Sequence, residues 1–286
     1  MTHTLSAKLS ANSYGKSRVR LTKVIRQGDR HEVLEMSVDI TLEGDFEASY
    51  TQGDNRSVVA TDSMKNTVYV LARETEFDCI DAFAAVLANH FVKTYAQVSA
   101  AEIKIGQTMF DRVPQGADVH DHAFVGGRQD QRTCRVRAES GGALRIFGGV
   151  AGLVVLKSAG SEFVDFVTDR FRTLPDTTER IFATTIDAEW SVADLEAHAT
   201  ETYDLARSAL VSCFADHHSL AVQQTLLEMG KAALGAAPAI ERIDLSMPNQ
   251  HRVPFNLEPF GLDNPAMIFV PTDEPAGQIR GTVERS

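Results

Sequence analysis

Between Glu32 and Glu43 apolar and polar residues alternate without a break. Leu34, Met36, Val38, Ile40 and Leu42 fall on one parity, and Glu35, Ser37, Asp39, Thr41 and Glu43 on the other. A strand turns successive side chains to opposite faces, so this pattern predicts a strand with one buried face. The run Arg18–Arg26 precedes it across Gln-Gly-Asp-Arg, a good turn sequence, and the two form a predicted hairpin. Over Asp78–Tyr95 the period changes: Ile80, Phe83, Ala84, Leu87 and Phe91 recur at helical spacing. Ile103, Ile105 and Met109 then suggest a strand, which Pro114-Gln-Gly turns toward a partner around Ala123–Val125. The first half reads hairpin, helix, hairpin.

The second half repeats that order without visible sequence identity. Ser140-Gly-Gly separates two strand-like runs, Thr133–Glu139 and Ala143–Lys157, and a strand around Ile181–Trp190 follows. Two helical patterns come next, one marked by Leu195, Leu205, Leu210 and Phe214, the other by Leu226, Leu227, Met229 and Leu234. Ile243, Leu245 and Met247 alternate with Arg242, Asp244 and Ser246 in a last strand that Pro248 ends. Strands and helices are grouped rather than alternating, which predicts an α+β fold of antiparallel sheets with helices on one face. The boundary falls at the Ser140-Gly-Gly turn, giving expected domains 1–139 and 140–286.

Composition narrows the function classes. With 286 residues, 43% hydrophobic and 23% charged, the chain builds a core without staples. A net charge of −11 argues against nucleic acid as a partner, because phosphate binding wants a basic surface, but leaves room for a small anion at a local positive site. Cys79, Cys134 and Cys213 are widely spaced, which points to reduced thiols. No secretory h-region opens the chain, no apolar run is long enough to span a bilayer, and GTVERS is not a peroxisomal address. A cytoplasmic protein without a membrane partner is the expectation.

Phosphate-loop, dinucleotide-loop, zinc-protease and nucleophile-elbow signatures are all missing. His120 and His122 are spaced like ligands on one strand face, but no further ligands accompany them convincingly, and a polar strand edge or turn is the plainer reading. His217 and His218 look like an inter-helix connection with Ser219 as a helix cap. Lys16 stands before the first strand, where a lysine is ordinarily solvated. In VVATDS, Thr61 or Asp62 is suited to cap the helix that follows, yet a helix start also binds anions. Asn249 and His251 lie two apart past a strand end, so extended backbone puts both on one side.

In order along the chain, YGKSRVRLTKV, LEGDFEASYTQGDN, VVATDSMKNTVY, LKSAGSEFVDF, the Asp-Ala-Glu-Trp after Arg180, LAVQQTLLEMG and SMPNQH resemble the urate oxidase (uricase) family, above all its bacterial and fungal tetramers. The resemblance spans nearly the whole chain, and the threonine and Pro-Asn-x-His segments are its most specific parts. It implies two tandem tunnelling-fold (T-fold) domains per chain in a homotetramer. It also implies oxidation of urate by O2 to 5-hydroxyisourate and H2O2, with O2 as co-substrate and neither metal nor organic cofactor.

The resemblance further assigns roles. Phe163 would stack on the purine. Arg180 would grip its anionic edge with a planar fork that lysine cannot reproduce. Gln223 would close the other side with an amide that both donates and accepts, and Val222 and Asp62 would supply backbone N–H groups. Gln223 gains separate support from its place beside Leu226 and Leu227, since a polar group near a buried face needs a partner. Lys16 and Thr61 would form the general-base dyad, the lysine being made neutral by desolvation. His251 would continue the proton path, and Asn249 would hold O2 over the ring. The resemblance places this site at a subunit interface, lysine and threonine from one chain and phenylalanine, arginine and glutamine from its neighbour. Two other classes compete: a purine- or pterin-binding tunnelling-fold protein without oxidase activity, and a metal hydrolase built on His120 and His122.

Overall fold

The computed structural model describes residues 7–192 and 199–286. It divides into two compact units: one runs to Arg128 and includes Thr133–Phe147, the other comprises Gln129–Arg132 and Gly148–Ser286.

In the first unit, β1 (Tyr14–Gln27) and β2 (Arg30–Gly44) form the expected hairpin. After them come α1 (Glu47–Thr51), α2 (Thr61–Glu74) and α3 (Ile80–Thr94), then β3 (Val98–Gln115) and β4 (Asp118–Glu139), apart from the Gln129–Arg132 stretch of β4. Strand order follows chain order, with β2 antiparallel to both β1 and β3. The alternation in β2 is realised in full: Leu34, Met36, Val38, Ile40 and Leu42 are all buried. Helix α2 packs on β1, and α3 packs on β3 through Ile80, Phe83, Leu87 and Phe91. Burying each such side chain contributes roughly 2 kcal/mol.

The second unit contains β5 (Arg145–Lys157) from Gly148 onward, β6 (Phe182–Val192), α4 (Ala199–Asp216), α5 (Val222–Ala236) and β7 (Ile240–Ser246). It ends with β8 (Asn249–Pro254), β9 (Phe269–Gly277) and β10 (Arg280–Glu284). Its sheet runs β5-β6-β7-β10, and β8 pairs with both β6 and β9. Helix α5 covers β7 and β10, and α4 lies against α5. Gly230 permits the close approach, because a Cβ there would sit 2.5 Å from Val283 Cγ2 on β10. Both units are α+β with antiparallel pairing and helical cover, as the hydrophobic periods predict. No described helix is long and apolar enough to cross a membrane.

Several local expectations need correction. Leu205 and Leu227 are exposed; α4 instead buries Tyr203, Ala206, Leu210 and Phe214, and α5 buries Leu226, Met229 and Leu234. Leu195 lies outside the described residues. Ala60, not Thr61 or Asp62, is the N-cap of α2, and Ala221, not Ser219, is that of α5; neither makes a side-chain capping bond. Met247 falls just beyond β7 yet is fully buried. The hairpin β8–β9 and the closing strand β10 were not foreseen, since proline and glycine blur the strand period there.

One ion pair ties non-adjacent strands of the first unit. Arg137 on β4 donates two bonds of 2.8 Å to the Glu43 carboxylate at the end of β2, with β3 between them in the sheet. The Arg137 hydrogen bond lowers the Glu43 pKa below its ordinary 4.5, against a smaller opposing effect of burial. A carboxylate with a lowered folded pKa adds stability that is present above its unfolded value and is lost as pH falls through the folded one. Glu43→Gln should therefore cost less than about 1 kcal/mol at neutral pH, because the pair is partly solvated. It should also flatten the acid-dependent loss of stability below pH 4.5, as read from urea unfolding midpoints across acidic pH.

Candidate active site

Local folding brings Lys16, Thr61 and Asp62 together in the first unit. Lys16 is paired with Ile40, at a point where the β1–β2 register breaks before Val19. Within that break Arg18 adopts a φ of 56°, a left-handed conformation uncommon for a non-glycine residue, and its N–H bonds Asp39 Oδ1 at 2.5 Å. Gly15 is required just before it, since a Cβ would lie 1.7 Å from the Ile40 carbonyl oxygen. The strand carrying Lys16 is thus fixed on both sides of the lysine.

Thr61 and Asp62 are the first two residues of α2. The segment leading into the helix is held against β1 by Tyr14, whose hydroxyl accepts the Val59 N–H at 2.7 Å and donates to the Val59 carbonyl at 3.2 Å. The Asp62 carboxylate is occupied by Lys65 at 2.5 Å and Asn66 at 3.1 Å. The Lys65 hydrogen bond is the largest cause of the lowered Asp62 pKa, and the charge of Lys16 adds to it, which places Lys16 within electrostatic reach of this helix start. Because its side chain is engaged along the helix, what Asp62 can offer a ligand is its backbone N–H.

In the second unit, Phe163, Arg180 and the start of α5 are interlaced by backbone bonds. Phe163 and Thr177 exchange two hydrogen bonds, 2.7 and 3.0 Å, and the Arg180 N–H donates to the Ser161 carbonyl at 2.8 Å. Ser161 bridges to Ser219, the Glu162 N–H donates to the Ser219 carbonyl at 2.8 Å, and three residues later Val222 begins α5. Leu220 is held by the Gln224 side chain at 3.1 Å. Val222 and Gln223 therefore open a helix whose first N–H groups have no intrahelical acceptor.

Arg180 is the most informative member. Its Nε donates to the Ser161 hydroxyl at 3.2 Å, and its guanidinium carbon lies 5.3 Å from the centre of the Phe163 ring. Its Nη2 is buried and has no hydrogen-bond partner among the described residues. Burial lowers the guanidinium pKa from its ordinary value, with no offsetting carboxylate among the described residues. Phe163 is itself stacked on Phe166, ring centres 4.5 Å apart and planes 10° apart, which fixes its ring plane.

Asn249 opens β8 and pairs with Thr184 on β6, which begins two residues after Arg180. Both therefore lie toward the same end of β6. His251 follows on β8 and is exposed; the β8–β9 register breaks between Asn249 and His251, so simple strand parity does not settle their sides. Gln223 is also exposed, which removes the reason drawn from its place beside a buried face. Ser161 and Phe166 were not foreseen. Ser161 gives no sequence signal apart from standing two residues before Phe163, while Phe166 repeats the aromatic three residues on.

His120 and His122 prove to be a local pair near the start of β4, the His122 N–H bonding His120 Nδ1 at 3.2 Å. Among the described residues, no group of three or more His, Cys, Asp or Glu is arranged to hold a metal ion.

The Uricase family model matches residues 12–137 and 146–280. The uricase of Arthrobacter globiformis is 43% identical over 277 residues, covering 97% of this chain and 90% of its own. That of Aspergillus flavus is 33% identical over 293 residues, covering 97% of each. The crystal structure of the Arthrobacter globiformis uricase superposes with a TM-score of 0.92 at 41% identity, covering 98% of this chain and 96% of the other. The two α+β units are tandem tunnelling-fold domains, and the chain belongs to the uricase family.

Proposed function

We propose that the chain is a urate oxidase. Urate gives up two electrons and two protons, O2 takes them to become hydrogen peroxide, and water adds to the oxidised ring to form 5-hydroxyisourate. The observation that carries this reading is Arg180: a half-buried cation whose Nη2 has no partner among the described residues, set beside the Phe163 ring and linked through Ser161 to Ser219 just before α5. A flat anion with N–H and carbonyl edges meets each of those needs. It offers acceptors to the guanidinium fork, a face to Phe163, and complementary edges to the Gln223 amide and the Val222 N–H. The uricases to which the chain is similar support the choice of urate among flat anions.

Chemistry then falls to Lys16 and Thr61. Taking a further proton from bound urate makes the ring electron-rich enough to reduce O2, and the Thr61 hydroxyl hands that proton to the Lys16 amine. The Asp62 N–H anchors the nearby edge of the purine. His251 passes protons onward, and Asn249 holds first O2 and then water over the ring. No resident metal or organic cofactor takes part. We place the complete site between two subunits of a cytoplasmic homotetramer, Lys16, Thr61 and Asp62 from one chain and Phe163, Arg180, Val222, Gln223, Asn249 and His251 from its neighbour. An exposed Gln223 and His251 suit this arrangement, because a second chain would cover them.

Loss of urate's ultraviolet absorbance, measured together with O2 uptake and peroxide release after chelator treatment, tests the reaction. Turnover should survive the chelator. Tight urate binding without O2 uptake would instead favour a purine-binding protein, and loss of turnover on chelation would favour metal chemistry. Thr61→Ala should fold normally and lose at least about 100-fold in kcat, the usual worth of a positioned base. Lys16→Met should match it and lose the limb of the pH–rate profile that the dyad contributes; near-normal turnover in either variant removes the dyad.

Arg180→Lys should act mainly on KM. Replacing a fork by a point charge forfeits one charge-assisted bond, about 1.5–3 kcal/mol or roughly 10- to 150-fold. Subunit sharing is tested by complementation. Lys16→Met and Arg180→Ala are each expected to be inactive, yet chains refolded together should recover activity at up to about a quarter of the sites. No recovery would place all the residues of each site in one chain.

A further inference from the structure

We infer that Tyr14 is a positioning residue that sets the distance between Lys16 and Thr61 through the backbone of Val59. This rests on the dyad proposed above. Tyr14 and Val59 are 45 residues apart in sequence, as are Lys16 and Thr61. The Tyr14 hydroxyl shortens that path to Lys16, Gly15, Tyr14, Val59, Ala60 and Thr61, because it accepts the Val59 N–H at 2.7 Å and donates to the Val59 carbonyl at 3.2 Å. Both polar groups of one peptide residue are satisfied by a single side chain. Val59 is therefore fixed in translation and in rotation, two residues before the threonine.

The tyrosine is itself held. Its ring meets the buried Phe46 edge-on, centroids 4.8 Å apart and planes 90° apart. Gly15 allows β1 to press against the Ile40 carbonyl, and the Arg18 bulge, bonded to Asp39, fixes the strand beyond the lysine. Burial raises the phenol above its ordinary value of 10, which keeps the hydroxyl protonated and able to donate. Other tethers would keep the segment folded without it: Gln97 Nε2 donates to the Ser57 carbonyl at 2.7 Å, and the Val58 N–H to that of Asn55 at 3.0 Å. Removing the hydroxyl should shift Thr61 rather than unfold its helix.

A double-mutant cycle in the full-length protein tests this. Tyr14→Phe should lower kcat by about tenfold or more, as misplacement of a reacting group by a fraction of an ångström does, with KM for urate changed less than about twofold. In a Thr61→Ala background the same substitution should cost less than about twofold more, because the group it positions is already gone. Tyr50→Phe, which removes a neighbouring bond to the Ser13 carbonyl, should leave kinetics near wild type. Normal turnover in Tyr14→Phe, or an equal loss in both backgrounds, overturns the inference. If Thr61→Ala alone turns over normally, the dyad fails and this inference with it, an outcome distinct from a failure confined to Tyr14. Should Tyr14→Phe not fold, amide exchange in the unmodified protein decides: the Val59 N–H should be protected, and exchange at the free-chain rate overturns the proposal.

Discussion

Taking a guanidinium out of water without a carboxylate beside it costs several kcal/mol when burial is complete, and a real fraction of that when it is partial. The second unit holds Arg180, partly buried, in that condition. Ser161 engages its Nε and its backbone N–H, Phe163 lies alongside, and nothing among the described residues meets Nη2. An acidic neighbour at Nη2 would offset that desolvation cost and occupy the same position. The segment between Phe163 and Arg180 is accordingly braced from within, with Arg172 bonded to Thr168, Leu174 and Asp176 and lying over the Phe166 ring at 4.1 Å.

The first unit solves a different problem. Lys16, Thr61 and Asp62 are not buried, and the backbone around them is set by a bulge after Lys16, a glycine before it and a tyrosine that grips the approach to α2. Both α2 and α5 begin at an alanine with no side-chain cap. That alone distinguishes neither, since α3 begins at Cys79 in the same way. What sets α2 and α5 apart is their surroundings: the charge of Lys16 reaches Asp62 at the start of α2, and Ser219, just before α5, bridges to the Ser161 that holds Arg180.

Elements with a clean hydrophobic period were legible in the sequence, as β2 and α3 show, because burial on one face leaves its imprint on every second or every third and fourth residue. The β8–β9 hairpin was not, because Pro248, Pro254 and the glycines there interrupt the alternation. Thr61 and Ser219 misled for a related reason: their composition suits a cap, but the backbone starts each helix elsewhere. Arg180 could be named by resemblance and not by pattern, since an unsatisfied Nη2 is a property of surroundings assembled from Ser161, Phe163 and the run to Ser219. Gln223 shows the converse, a residue whose sequence argument assumed burial that a single chain does not provide.

Gly230 has a consequence reaching beyond the packing it permits. It lies mid-helix in α5, about eight residues and so about 12 Å from the N–H groups of Val222 and Gln223, and it seats the helix on Val283. The contact acts as a fulcrum. A tilt of about 5° there would swing the start of α5 by about 1 Å, a displacement on the scale that costs an active site about 100-fold. The aim of the helix start is thus set in part by the Gly230–Val283 contact, two turns further along the helix.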